Sequence, residues 1–175
     1  LVDNNPALHI PKNREVKRKR YLTNDELIAI TEELDVLGEN KRYTQACNFI
    51  WLLLLTGARV SEIAKAKWSD IKGDVLIIKE HKTDKLGEDR IIHITPGVRK
   101  ILERCDRYSE YIIGIQSPRY AWDVVRKRVG CADARLHDIR HSYASWSLQK
   151  INLSDVGNLL GHKDVATTQR YAHIH

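Results

Sequence analysis

The feature that most constrains the fold of this chain is an uninterrupted apolar run over residues 49–55, inside the segment 41–56. A run without polar interruptions predicts a helix buried on most of its sides, so other helices must pack around it. The run is far shorter than the roughly 20 apolar residues that a membrane span needs. We therefore expect a soluble, helix-rich domain with this segment at its centre and no membrane association.

Capping and periodicity predict further helices around the central one. Thr23 and Glu26 form a capping box, and the apolar stripe that follows it ends at Gly38. Gly57 ends the central helix, and a short helix is predicted over residues 59–67. The remaining predicted helices cover residues 96–104, 118–129, 136–150, 154–160 and 165–171.

Two short apolar segments predict strands. Residues 74–79 read DVLIIK and residues 90–95 read RIIHIT, and a polar turn that contains Gly87 separates them. This arrangement is typical of an antiparallel hairpin with charged residues near its tip. The predicted fold class is therefore mainly α with a small antiparallel β-hairpin or sheet, an α+β domain.

The positive charge is concentrated near the start of the chain. The formal net charge is +6, of which residues 12–20, called here the basic strap, carry +5. The strap is either a solvated linker or a surface that faces nucleic acid. Residues 1–20 are expected to connect a missing N-terminal domain to a domain that starts near Tyr21. The basic residues of the strap are Lys12, Arg14, Lys17, Arg18, Lys19 and Arg20.

The cysteines and the chain start bear on cellular context. Cys47, Cys105 and Cys131 form an odd, widely spaced set that fits neither a disulfide framework nor a paired metal clamp. We therefore expect a reducing, cytoplasmic environment. The chain begins at Leu1 and contains no methionine, so it is expected to be part of a longer protein.

The sequence His137-Asp138-Ile139-Arg140 is the first candidate for chemistry. A spacing of three places His137 and Arg140 on one helix face, where both could grip one anion. A planar guanidinium matches two phosphate oxygens, and a histidine can give or take a proton near neutral pH. Alone, the pattern more often belongs to a surface helix with incidental charges.

Three other segments each have an ordinary structural interpretation. Arg59 and Glu62 could form a routine surface pair, and His162 after Gly161 could cap a helix end. Tyr171 could be a half-buried aromatic residue with its hydroxyl group hydrogen-bonded. None of these segments alone identifies a function.

Together, the segments resemble the catalytic domain of the tyrosine recombinase, or phage integrase, family. TGARVSEI is followed by a hairpin with Lys82, then LHDIRHSYAS, then LLGHKDVATTQRYAH, in the order the family has them. The resemblance covers residues 21–173 and is specific because all the segments occur in order. It implies the catalytic residues Arg59, Lys82, His137, Arg140, His162 and Tyr171.

The resemblance also implies a role for each type of residue. Tyr171 would be the nucleophile, and Arg59 and Arg140 would bind the nonbridging oxygens of the scissile phosphate. This chemistry requires neutralisation of developing charge and a proton for the leaving oxygen. Lys82 is the candidate acid, although Lys79 and Lys85 are alternatives in the same hairpin, and His137 is the natural proton acceptor for the tyrosine.

The implied activity is site-specific DNA recombination through a 3′-phosphotyrosine intermediate. The implied partners are double-stranded DNA attachment sites, bound by a homotetramer, and the biological context is integration or excision of a mobile element. This part alone is expected to be monomeric or weakly associated, and no cofactor or metal is expected. The alternatives are a noncatalytic DNA-binding regulator and a relaxing type IB-like topoisomerase.

Overall fold

A computed structural model describes residues 20–79 and 89–161 of the chain. Within these ranges the fold is mostly helical, with one small sheet, so the predicted fold class is confirmed. The helices are α1 (Asn24–Gly38), α2 (Thr44–Thr56), α3 (Val60–Lys65), α4 (Pro96–Glu103), α5 (Arg119–Arg128), α6 (Leu136–Leu148) and α7 (Leu153–Leu160), and the strands are β1 (Ile71–Lys72), β2 (Val75–Ile78) and β3 (Arg90–His93).

The start of α1 has the predicted capping box. The Thr23 hydroxyl accepts a hydrogen bond from the backbone N–H of Glu26 at 3.2 Å, and the Glu26 carboxylate accepts one from the backbone N–H of Thr23 at 2.9 Å. Two backbone donors that a helix start leaves without partners are therefore satisfied.

Helix α2 is the centre of the core, as its apolar run predicts. Phe49 and Ile50 have no exposed surface, and the helix packs against α1, α4, α5 and α6. It begins at Thr44 and not at residue 41, because the preceding residues form a turn. In that turn the Asn40 side chain accepts from the backbone N–H of Arg42 at 3.0 Å, and the Thr44 hydroxyl donates to the carbonyl of Gly38 at 2.8 Å.

The sheet is antiparallel in the order β1-β2-β3. Strands β2 and β3 are the predicted pair, with Ile78 opposite Arg90 and Leu76 opposite Ile92. Strand β1 was not predicted, since a two-residue strand is too short to show a period of two. The predicted hairpin turn and the predicted helix over residues 165–171 lie outside the described residues.

Helices α6 and α7 enclose a second, smaller apolar cluster of Ala144, Leu148, Val156 and Leu160. Helix α7 ends at Leu160, and the next residue, Gly161, has a left-handed backbone conformation with φ of 64°. In the parts of the chain that the structure describes, no helix combines the length and apolar character that crossing a membrane requires.

Gly57 joins the core to the segment that carries Arg59. It ends α2 in the left-handed region with φ of 60°, and its N–H donates to the carbonyl of Leu53 at 2.9 Å. A Cβ atom at this position would lie 2.4 Å from Cδ1 of Tyr143 on α6. Both the backbone angle and the space therefore require glycine.

We expect Gly57→Ala to destabilise the fold more than Gly73→Ala does. Gly73 has a similar φ of 58°, but nothing lies within 4 Å of a Cβ atom there. The left-handed backbone should cost both variants about 1–2 kcal/mol, and overpacking against Tyr143 should cost Gly57→Ala about 1–3 kcal/mol more. The measurement is the free energy of unfolding in urea, and equal losses in the two variants would contradict the close contact.

Candidate active site

The site is built first on Arg59 and Glu62, at the junction of α2 and α3. Arg59 has an extended backbone and precedes the first residue of α3, so the helix starts one residue later than predicted. The Glu62 carboxylate accepts from the backbone N–H of Arg59 and from its Nη1, both at 2.7 Å. The Arg59 side chain is 41% exposed, whereas that of Glu62 is only 10% exposed. This is a half-buried ion pair with one accessible cation and not a routine surface pair.

Arg140 reaches the same carboxylate from α6. Its side chain is 4% exposed, and its Nη1 lies 4.0 Å from Oε2 of Glu62. Nη1 donates to the carbonyl of Gly57 at 2.7 Å, and Nη2 donates to the carbonyl of Leu160 at 2.6 Å. Arg140 is thus a buried, fixed group and not an incidental surface charge.

A third arginine, Arg90, completes the cluster from the sheet. Its Nη1 lies 2.5 Å from Oε2 of Glu62, and its side chain is 4% exposed. Nη2 donates to the carbonyl of Thr56 at 3.1 Å, and both Nε and Nη2 donate to the carbonyl of Leu159, at 3.1 and 2.9 Å. We call Arg59, Glu62, Arg90 and Arg140 the arginine cluster.

The buried arginines satisfy carbonyl groups at two helix ends. The last carbonyls of a helix have no partner within the helix and carry the negative end of its dipole. Thr56 and Gly57 lie at the end of α2, and Leu159 and Leu160 lie at the end of α7. Arg90 and Arg140 donate to these four carbonyls. The ends of α2 and α7 are therefore held together at the cluster.

The arginine cluster has an excess of positive charge. Three guanidinium groups surround one carboxylate, which leaves a formal charge of +2. Burial alone would raise the pKa of Glu62, but Arg90 in particular, together with the Arg59 backbone N–H and Arg140, lowers it below its usual value. Glu62 is therefore ionised at neutral pH, and the remaining charge favours an anion beside the exposed Arg59.

His137 lies on α6 one turn before Arg140, as its spacing predicts, but in a different environment. It is exposed, and its ring meets that of His141 edge to face with the centroids 4.5 Å apart. Arg140 instead extends into the interior. The predicted pair therefore divides into a buried cation and a solvent-accessible imidazole on one helix.

Several predicted site residues lie outside the described part of the chain. Among the predicted catalytic residues these are Lys82, His162 and Tyr171, and in the basic strap they are Lys12, Arg14, Lys17, Arg18 and Lys19. Arg20 is described, and its guanidinium lies 2.5 Å from a Glu26 oxygen and 3.0 Å from an Asp133 oxygen. These assignments stay predictions, and Arg20 has carboxylate partners within the chain.

The sequence did not predict that Arg90 belongs to the site or that Glu62 lies at its centre. Along β3, Arg90 and Ile92 are buried whereas Ile91 and His93 are exposed. The letters RIIH do not reveal which alternate set faces inward, and an arginine is normally assigned to the solvent side. The available signal was a single charged residue at the start of an apolar strand, directly after the hairpin turn that contains the predicted site lysine.

Similarity to known proteins extends along nearly the whole chain. Residues 20–175 match the model of the phage integrase family. The tyrosine recombinase XerA of Saccharolobus solfataricus is 34% identical over 177 residues, covering 94% of this chain and 55% of that protein. The chain spans between 55% and 60% of the length of the first three relatives it matches.

Solved structures agree with this match at the level of the fold. The catalytic domain of bacteriophage HP1 integrase has a TM-score of 0.71 at 20% identity, over 90% of this chain and 89% of that domain. A lambda integrase tetramer bound to a Holliday junction has a TM-score of 0.65 at 19% identity, over 92% of this chain and 50% of that chain. Since the family model matches nearly the whole chain and the fold agrees, the resemblance is confirmed and the chain belongs to the phage integrase family.

Proposed function

We propose that the protein is a site-specific DNA recombinase that cuts and rejoins DNA strands through a 3′-phosphotyrosine intermediate. The observation that supports this most is the arginine cluster, in which a buried carboxylate lies against Arg59 and Arg90 and within 4.0 Å of Arg140. A fixed site with excess positive charge suits the anionic transition state of phosphoryl transfer. Arg59 is open to solvent, so a DNA phosphate could reach it.

The proposed reaction exchanges one phosphodiester bond for another. The Tyr171 oxygen attacks the scissile phosphorus and forms a new P–O bond while the bond to the 5′ oxygen breaks. The tyrosine proton passes to His137, which is exposed. Lys82 supplies a proton to the leaving oxygen, and Arg59 and Arg140 hold the nonbridging oxygens. Religation is the reverse reaction with another strand, so no external energy source is required.

The proposed partners follow the family. The substrate is double-stranded DNA at paired attachment sites, and the active assembly is a homotetramer, which is the state of the lambda integrase bound to a Holliday junction. Residues 1–20 would link this catalytic domain to an N-terminal DNA-binding domain. Integration or excision of a mobile element is the proposed biological role, and a cytoplasmic location stays a prediction.

The experiment that tests the function is covalent capture. The protein at its natural length is incubated with a nicked duplex whose core sequence has been selected for binding from a random DNA library. We expect an adduct that survives denaturation, and we expect Tyr171→Phe to bind the duplex but form no adduct, because only the hydroxyl is lost.

Tyr108→Phe is the matched control for this capture. Tyr108 is 96% exposed, so the loss of its hydroxyl should leave adduct formation unchanged. An adduct formed by Tyr171→Phe would refute the proposed nucleophile. DNA binding by the wild-type protein without any adduct would favour the noncatalytic regulator, and adducts without strand exchange would favour the topoisomerase.

Replacement of the leaving 5′ oxygen by sulfur tests the role of Lys82. Loss of a general acid typically slows a reaction by about 10²- to 10⁴-fold, so Lys82→Ala should cleave ordinary DNA slowly. A thiolate is a weaker base that hardly needs a proton, so the sulfur substrate should restore cleavage by Lys82→Ala. Arg59→Ala, which affects the nonbridging oxygens, should recover less. Rescue of Lys85→Ala alone would move the acid to Lys85.

The basic strap is proposed to bind DNA phosphates. A variant with glutamine at five of the strap's six basic positions, 12, 14, 17, 18 and 19, should have a shallower slope of log affinity against log salt. The slope should change by about 0.9 for each phosphate that the variant no longer neutralises. Arg20→Gln is the control, because Arg20 is already paired with Glu26 and Asp133. Arg20→Gln should lower the free energy of unfolding and leave the salt slope nearly unchanged. An unchanged slope in the variant with five substitutions would place the strap away from DNA.

A further inference from the structure

We propose that Arg90 is a positioning residue that holds Glu62 so that Arg59 and Arg140 stay available to the scissile phosphate. The inference rests on the proposed recombinase function and adds to it a residue outside the predicted catalytic set. It is carried by the contacts of one buried side chain that joins the sheet to both helix ends of the site.

The contacts of Arg90 reach three separate parts of the chain. It binds the Glu62 carboxylate on α3, the Thr56 carbonyl at the end of α2 and the Leu159 carbonyl at the end of α7. The residue itself starts β3, opposite Ile78 of β2. A displacement of any one of these elements would therefore break a bond to the same guanidinium.

The Arg90 stem is fixed as tightly as its charged group. A Cβ atom on Gly161 would lie 2.8 Å from Cδ of Arg90, so the glycine leaves the space that the arginine stem fills. Gly161 directly follows α7. Its backbone is left-handed, with φ of 64°, a conformation that glycine adopts without the steric cost of a Cβ atom. The end of α7 and the Arg90 side chain thus fit together without space for rearrangement.

The charge of Arg90 is as important as its position. Glu62 accepts from Arg59 at 2.7 Å and lies 4.0 Å from Arg140, so it is a potential competitor of the phosphate for both cations. Arg90, at 2.5 Å, balances this negative charge. Without Arg90, Glu62 would compete more strongly for the two remaining arginines, and the formal charge of the cluster would fall from +2 to +1.

Apolar packing does not explain a buried arginine at this position. Desolvation of a buried ion pair is costly, and a well-packed apolar residue often serves the fold equally well or better. Burial also lowers the pKa of Arg90, with Glu62 acting in the opposite direction. A role that needs the guanidinium is therefore a better explanation than packing.

Single-turnover cleavage of the selected nicked duplex separates positioning from folding. In the protein at its natural length, we expect Arg90→Gln to lower the cleavage rate constant at saturating DNA about 100-fold, within the range for loss of one transition-state donor. The Kd for the duplex should change less than about threefold, since binding is dominated by other phosphate contacts. A purely structural role would instead lower the fraction of protein that reacts and leave the rate constant of the reacting fraction unchanged.

Arg126→Gln is the matched control variant. Arg126 also joins a carboxylate, that of Asp123 at 2.8 Å, to main-chain carbonyls, including that of Ala134 at 3.3 Å. These contacts are local to α5 and the loop that follows it and involve no member of the arginine cluster. Its substitution should leave the cleavage rate constant within about twofold of the wild-type value, because its role is local packing.

A second substitution tests whether Arg90 acts through Glu62. In Arg90→Gln, further replacement of Glu62 by Gln removes the negative charge that competes for Arg59 and Arg140, while it preserves the shape and one acceptor. The double variant should then cleave about tenfold faster than Arg90→Gln alone, which is a difference of about 1.4 kcal/mol in activation free energy. A double variant that is as slow as Arg90→Gln or slower would overturn the proposal.

Arg90→Lys keeps the test decisive if the glutamine variant does not fold. Lysine retains the charge beside Glu62 but lacks the planar fork of donors with which the guanidinium reaches the carboxylate and both carbonyls, so its rate constant should lie between those of wild type and Arg90→Gln. A wild-type rate constant in both Arg90 variants would overturn this inference alone. A wild-type protein that forms no adduct would overturn the proposed function and this inference with it.

Discussion

One buried carboxylate surrounded by arginines is the interaction on which the site depends. Glu62 is 10% exposed and would be costly to ionise alone, but it pairs with Arg59 and Arg90 and has Arg140 4.0 Å away. Each of these cations comes from a different part of the fold: the junction of α2 and α3, the sheet, and α6. The carboxylate therefore joins elements that are far apart in the sequence.

The same arginines also solve a problem of the backbone. Helices α2 and α7 end beside each other, and their terminal carbonyls would be poorly satisfied in a buried site without donors. Arg90 and Arg140 supply these donors, at 2.6–3.1 Å from the carbonyl oxygens. Satisfying two helix ends thus concentrates positive charge at one place in the fold.

The site combines rigid and accessible groups. Arg90 and Arg140 are each 4% exposed and are held by several bonds, whereas Arg59 is 41% exposed and His137 lies on the surface of α6. The buried groups fix the geometry of the cluster, whereas the exposed groups are open to solvent.

The sequence alone determined the helical fold and the family, because the apolar run around Phe49, the helix caps and the ordered motifs are local patterns in residue type and spacing. It also predicted Arg59 and Arg140 as site residues, and the structure places both beside Glu62. Tertiary structure decided the burial and the contacts of Arg90, because alternation along a strand does not reveal which face is buried. It also decided which carbonyls the arginines bind, since α2 and α7 are distant in sequence and meet only when the chain is folded.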